Sequence, residues 1–278
     1  MSVNVEEAVK DWVASPPHVY IKLKDALENP KSSFKEFSGI IGHDPSLAAR
    51  VLKIVNSPFY GLETEVETIS HALGIIGTQQ LSELVLATSV VAQFGNIPKR
   101  IVDMDSFWKH SVACGVAAKV IADRLGQRNL ESYYLAGMLH DIGSLVIYTK
   151  FPEKADKILK RCKETKENLF DVEREVLGSS HAKFGGQLLK GWGLPQGLYE
   201  PVAFHHRPKK SKEFFMLTQA VHVADSIVDE LKLGSSGETA ANPVKPEILN
   251  NLDFKELPVD RLKREIEDQY YSALAVFL

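Results

Sequence analysis

Leu135-Ala136-Gly137-Met138-Leu139-His140-Asp141-Ile142-Gly143 sets a histidine and an aspartate side by side in a run of apolar residues. The apolar spacing predicts one helix from Glu131 to Val146, with the pair inside it and Gly143 loosening it just beyond. Imidazole nitrogen and carboxylate oxygen are ligands for divalent cations such as iron, zinc or manganese. An adjacent His-Asp on one helix can give a nitrogen and an oxygen to one ion, and its carboxylate can bridge to a second. Further histidines and acids stand at helical positions on both sides: His110 upstream, then His181, the doublet His205-His206, and Asp225. A lone histidine among apolar residues is more often a satisfied core residue than a ligand. A set spread over separate helices becomes a site only where the fold gathers it. The reading is a site for one or two divalent metal ions.

The rest of the composition narrows the setting. A chain of 278 residues, 44% hydrophobic and 25% charged, has ample material for one large or two ordinary cores. A formal net charge of −3 argues against a nucleic-acid binder that works by neutralising phosphates. The basic run Arg207-Pro208-Lys209-Lys210-Ser211-Lys212 is the local exception. It reads first as a solvated loop and second as an anion site, with Arg207 and Lys209 as the phosphate-binding candidates. Two cysteines, Cys114 and Cys162, lack paired spacing, which suits a reducing compartment and excludes a disulfide framework. No basic-then-apolar leader and no membrane-length apolar run occurs, so the expectation is a soluble, cytoplasmic protein without a membrane partner.

The periodicity is helical nearly throughout, which predicts an all-α fold. Asp44-Pro45 reads as an N-cap followed by proline at the first helical position. A helix is expected over Ile69 to Ile76, ended by Gly77, with Thr78 capping the next. Asp105 or Ser106 should cap the helix that carries His110, with Gly126 stopping it. Ser179 or Ser180 should cap the helix of His181. Gly185 and Gly186 inside that helix cost about 1 kcal/mol each against alanine, which suggests close packing near a crowded site. A long helix from Glu213 to Leu231 places His222 and Asp225 on roughly one face. His222 is read as structural or supporting rather than as a ligand. The polar stretch after Gly234 looks like a flexible loop, and Val259 to Leu278 like an amphipathic helix. The divisions expected are an N-terminal helical lobe at 10–98, a metal-binding lobe at 99–232, a loop at 233–246 and a C-terminal helical segment at 247–278.

Several of these stretches together resemble the HDOD family, the HD-related output domain of bacterial signalling proteins. The resemblance runs through Asp44 to Leu52, Val55-Asn56-Ser57-Pro58-Phe59-Tyr60-Gly61 and Ala72 to Gly77. It continues through Phe107 to Ser111, Leu135 to Gly143, Glu175 to Gly178 with His181, Trp192 to Pro195, and His205-His206. It covers most of residues 10 to 232. It implies a helical bundle with an HD-like C-terminal half, and signalling partners rather than an established reaction. Against the related HD-GYP phosphodiesterases, it places His110, His140, Asp141 and Asp225 in the basic HD set. His181, His205 and His206 fall where those enzymes hold a second ion. The lysine of those enzymes is Ser144 here, and the Gly-Tyr-Pro loop is replaced by Arg207-Pro208-Lys209-Lys210.

Three functions compete at this point. The chain is a regulatory or adaptor protein with an inherited, structural or sensing metal site. Alternatively it is an active phosphohydrolase acting on a phosphorylated small molecule or nucleotide, with Asp141 bridging two ions. The third reading is a site filled by water and hydrogen bonds. Residues 10–98, without a histidine-acid cluster, are expected to act as the partner surface, and Phe59 and Tyr60 either anchor a partner or, as the favoured alternative, pack on the C-terminal half.

Overall fold

Asp44 starts its helix as the sequence requires. Its carboxylate accepts the Ser46 and Leu47 amides at 2.9 and 3.0 Å, and Pro45 supplies the first turn. The computed structural model describes residues 3–13, 17–56, 60–62, 64–93, 97–239 and 259–277, and among them there is no strand. None of these helices is long and apolar enough to cross a membrane. The chain divides into two compact units, one formed by residues 1–14 and 96–267, the other by 15–95 and 268–278.

The second of these units contains α2 (His18–Glu28), α3 (Phe34–Gly42), α4 (Pro45–Val55), α5 (Ile69–Ile76) and α6 (Thr78–Gln93). α6 packs on α2, α4 and α5. Leu23, Phe37, Ile41, Val51, Ile54 and Leu73 form its centre, and burying each such side chain is worth about 1.5–3 kcal/mol. Gly77 ends α5 in a positive-φ conformation, as expected. Thr78 is the first residue of α6 rather than its cap. Asn56 closes the link between α4 and α5 from both ends, donating to the Val66 carbonyl at 2.8 Å and accepting its amide at 2.6 Å. Tyr60 is half-buried against this core, while Phe59 lies outside the described residues.

The larger unit holds α1 (Val5–Val13), α7 (Met104–Arg124), α8 (Leu130–Leu139), α9 (Ile142–Lys150), α10 (Pro152–Thr165), α11 (Leu169–Leu177), α12 (His181–Gly191), α13 (Gln196–Phe204) and α14 (Phe215–Leu231). The last helix, α15 (Val259–Phe277), contributes residues to both units. α7 packs on α8 and α14, and α12 packs on α9, α13 and α1. Two close approaches set this arrangement. A Cβ at Gly137 of α8 would meet the Cys114 carbonyl oxygen of α7 at 2.5 Å. One at Gly143 of α9 would meet the His181 carbonyl oxygen of α12 at 2.0 Å.

Three sequence-based boundaries are corrected. The expected helix from Glu131 to Val146 is two helices, α8 and α9, which meet at His140-Asp141. Asp141, at φ −98° and ψ 8°, interrupts the helical run and caps α9, with the Ser144 amide on its carbonyl at 2.9 Å. The pair therefore stands at a junction rather than within one helix. α7 begins earlier than expected because Asp103, not Asp105 or Ser106, caps it by accepting the Asp105 amide at 3.1 Å. α14 begins at Phe215 rather than Glu213. The preceding amides are taken by Glu200, whose Oε1 accepts from Lys212 at 2.8 Å and Glu213 at 3.3 Å.

In the expected loop at 233–246, the described part, up to Thr239, is tied to the helices. Tyr148 donates to the Ser236 carbonyl at 2.6 Å, and Glu238 accepts the Leu169 amide at 2.9 Å. Residues 240–258, which carry the rest of that loop and the start of the C-terminal segment, lie outside the described residues.

Candidate metal centre

The seven candidate ligands come from α7, the α8–α9 junction, α12, the end of α13 and α14, all in the larger unit. The fold brings all seven together. Asp141 lies between two groups of histidines and turns one oxygen to each. Its Oδ2 is 3.1 Å from His140 Nε2 and 3.7 Å from His110 Nε2. Its Oδ1 is 3.3 Å from His181 Nε2 and 3.7 Å from His205 Nε2. Asp225 joins the first group, with Oδ1 3.3 Å from His110 Nε2 and 3.5 Å from His140 Nε2. His206 joins the second, its Nε2 2.9 Å from that of His181.

The glycines of α12 make the second group possible. A Cβ at Gly186 would lie 2.6 Å from the Ala203 Cβ, and one at Gly185 would lie 2.9 Å from a Val202 methyl. α12 and α13 therefore touch nearly backbone to backbone, and His181 meets the doublet at the end of α13. The crowding expected from this pair of glycines is present.

Hydrogen bonds fix which nitrogen each ring presents. His140 Nδ1 lies 2.7 Å from the Gly137 carbonyl and His205 Nδ1 lies 2.8 Å from that of Val202. A carbonyl only accepts, so both Nδ1 atoms carry protons, and in the neutral ring each Nε2 turns a lone pair to the interior. His181 Nδ1 is likewise held, 2.7 Å from Glu173 Oε2. An outer partner on the far ring nitrogen is the usual support of a histidine that ligates metal. His140 Nε2 is buried and makes no hydrogen bond.

Charge follows the same division. Burial opposes ionisation of Asp141, yet His140 and His181 hold its carboxyl well below the usual range. Asp225 is also held well below it, against burial, by the neighbouring imidazoles of His110 and His140. Burial works against a charged His140, but Asp141 and Asp225 outweigh it and raise that imidazole well above its ordinary value. The space between the carboxylates thus favours positive charge. Burial, then His140 and His181, push His205 down to about 3, and burial with His205 puts His206 well below the ordinary range. Neutral imidazoles and ionised carboxylates are the forms that bind metal. The donor set and the bare, buried His140 Nε2 fit divalent cations, and the histidine-acid clusters are suited to metal binding.

Three residues at the centre were missed in the sequence. Cys114, one turn after His110 on α7, has its sulfur 3.5 Å from His110 Nε2. Burial, followed by Asp225, raises its thiol well above the ordinary range. Asp229, one turn after Asp225, has an oxygen 3.8 Å from His110 Nδ1, and burial followed by Asp225 pushes it up to about 9. The four-residue spacings were the available signals. Glu173 is fully buried between Leu169 and Leu177 on one stripe of α11, so an acid on an apolar face was its signal. Of the phosphate candidates, Arg207 sits over the Phe170 ring at 5.0 Å, and Lys209 is exposed. Ser144 is buried, with no hydrogen bond to its hydroxyl.

Comparison with known proteins places this geometry in a family. The HDOD domain matches residues 13–208. An uncharacterized protein of Treponema pallidum (strain Nichols) is 23% identical over 253 residues, which cover 90% of this chain. They cover 48% of that protein, so the chain spans about half the length of the curated relative it matches. Among solved structures, an HDOD domain protein with unknown function from Geobacter sulfurreducens is 23% identical. It superposes with a TM-score of 0.78, with 98% of each chain covered. A "Putative phosphohydrolase" from Shewanella amazonensis SB2B is 24% identical and superposes at 0.74, again with 98% of each chain covered. These two share the all-helical fold, and with the domain matched over most of its length, the chain belongs to the HDOD family.

Proposed function

We propose that this chain is a regulatory HDOD protein whose larger unit carries a two-ion centre bridged by Asp141. The observation that carries the reading is the division of the two Asp141 oxygens between separate histidine groups. One ion would be held by His110, His140, Asp225 and Asp141 Oδ2, the other by His181, His205, His206 and Asp141 Oδ1. Iron, zinc and manganese all suit such nitrogen and oxygen donors. The HDOD assignment supports a role in signal output in the cytoplasm, with signalling proteins as partners. Residues 10–98 serve as the partner lobe and 99–232 as the metal-binding lobe.

A second reading, a metal-dependent phosphohydrolase acting on a phosphorylated small molecule or nucleotide, is favoured by the complete ligand set. Bound ions would polarise a phosphoryl oxygen and lower the pKa of a coordinated water. Asp141 and the histidines would hold and orient, while Arg207 and Lys209 would neutralise phosphate. A phosphomonoesterase and phosphodiesterase screen on metal-loaded protein separates the two readings. The regulatory account expects no turnover above a metal-free control. Robust turnover lost in Asp141→Ala contradicts it and establishes the hydrolase.

A further inference from the structure

Beside the metal centre, the larger unit contains a separate cavity of about 390 Å³, within the roughly 300–1,000 Å³ span of small-molecule pockets. None of the seven candidate metal ligands forms its wall. Its charge is opposite to that of the chain. Arg174, Lys183, Lys190, Arg207 and Lys210 line it against one carboxylate, Glu200, in a protein of net charge −3. That carboxylate is already engaged by Ser211 Oγ at 2.5 Å and by the amides that precede α14. Arg174 pairs with Asp171, outside the wall, at 3.7 Å, and Glu200 does not neutralise the other four cations from within the pocket.

One further feature points to an anionic ligand. The wall includes Gly178, Ser179 and Ser180, the segment leading into α12, whose first amide is already taken by the Glu173 carboxylate at 2.7 Å. Ser179, in the same wall, is only 5% exposed, and its hydroxyl has no hydrogen-bond partner. A buried donor left unmade costs about 1–3 kcal/mol, so a ligand oxygen is its natural complement. Gly186 and Ala203, packed closely on each other, together with Phe170 and Phe204 give the wall its apolar part.

We infer that this cavity is a second ligand site, for a polyphosphate ester of nucleoside diphosphate type. The four cations other than Arg174 still exceed what a single phosphate group would balance, and the apolar part of the wall suits the uncharged part of such an ester. The site adjoins the metal centre through Phe170. That ring lines the cavity, lies 4.7 Å from the His206 ring, and carries the Arg207 guanidinium at 5.0 Å. A ligand that draws Arg207 away from Phe170 therefore acts on a neighbour of His206.

Calorimetric titration of the whole 278-residue chain with pyrophosphate, ADP and adenosine tests the assignment. Pyrophosphate and ADP are expected to bind and adenosine to give no heat. Lys183→Glu, at an exposed position, and Arg207→Gln should each weaken ADP at least tenfold. Lys157→Gln, exposed on α10 and outside the wall, should change it less than twofold. Asp141→Ala keeps the cavity and should hold ADP within threefold of wild type, whatever it does to bound metal. Absence of ADP binding, or wild-type affinity in Lys183→Glu, overturns the inference. Loss of ADP binding in Asp141→Ala also overturns it, placing the phosphate on the metal centre and leaving the proposed function intact.

Discussion

Glu173 holds His181 twice: one carboxylate oxygen, Oε2, accepts both the backbone amide and the ring Nδ1–H of His181, each at 2.7 Å. The expected serine cap is thereby replaced, since Ser180 occupies the N-cap position but makes no side-chain cap bond. Glu173 thus starts α12 and aims the His181 Nε2 at Asp141 with one group. Replacing such an outer partner commonly costs 10–100-fold in metal affinity, on the order of 1.4–2.7 kcal/mol. Glu173→Gln should weaken binding at the His181 side by about that factor, read by competition with a chromophoric chelator. An affinity within twofold of wild type would remove Glu173 from the account.

The contact between α9 and α12 predicts a pair of opposite outcomes. At Gly143 an added Cβ would sit 2.0 Å from the His181 carbonyl, against backbone that cannot rotate away. Overpacking of this kind costs typically 1–3 kcal/mol and more when backbone must shift, so Gly143→Ala should lose about 3 kcal/mol or more. Gly74, inside α5, has nothing within 4 Å of such an atom. Gly74→Ala should stabilise by about 0.5–1 kcal/mol through helix propensity alone. Urea unfolding midpoints read both, and equal shifts would refute the close-packing argument.

A pH dependence follows from Glu200. Burial raises its pKa, but hydrogen bonds from Gln196, Ser211 and the Lys212 and Glu213 amides outweigh this and hold it at about 2, against an ordinary value of 4.5. A depressed carboxyl stabilises the fold fully above its unfolded value and loses that contribution as pH falls toward the folded one. The difference corresponds to about 3 kcal/mol. Glu200→Gln should therefore be destabilised by about 2–3 kcal/mol at pH 7. The gap to wild type should close between pH 4.5 and about 2. Denaturant titrations at pH 7 and pH 3.5 measure it, and a gap that does not shrink would contradict the role given to the carboxylate.

Any turnover of cyclic dinucleotides should be weak. Ser144, where the resembling HD-GYP enzymes carry a lysine, is fully buried and brings no charge. Loss of one fixed transition-state donor commonly costs about 10²–10³ in rate. Product analysis by liquid chromatography after overnight incubation with metal should find little hydrolysis. Rapid turnover that Asp141→Ala abolishes would reverse this expectation.

The fold class was legible because apolar spacing and local caps act within a few residues, as at Asp44-Pro45 and Gly77. The candidate ligands were legible as residue types, and the structure adds their gathering around Asp141. The start of α7 was misplaced locally, because Asp103 rather than Asp105 or Ser106 caps it, and that of α14 because a distant residue decides it. Glu200 delays α14 from eleven or more residues upstream, and no local pattern announces that. Asp141 divided an apparently continuous helix because its backbone leaves the helical run there, at φ −98° and ψ 8°, while its side chain makes no cap bond. Glu173 escaped notice for a related reason: its partner, His181, lies eight residues on, in the next helix.

The central claim is a centre of two ions joined by Asp141. The direct measurement is metal stoichiometry by elemental analysis, on protein purified without an affinity metal and supplemented with iron, zinc or manganese. Wild type should hold about two equivalents, His206→Ala about one, and Asp141→Ala should lose most of its metal. Wild-type protein that remains without metal after supplementation, or Asp141→Ala that keeps a full complement, would contradict the account.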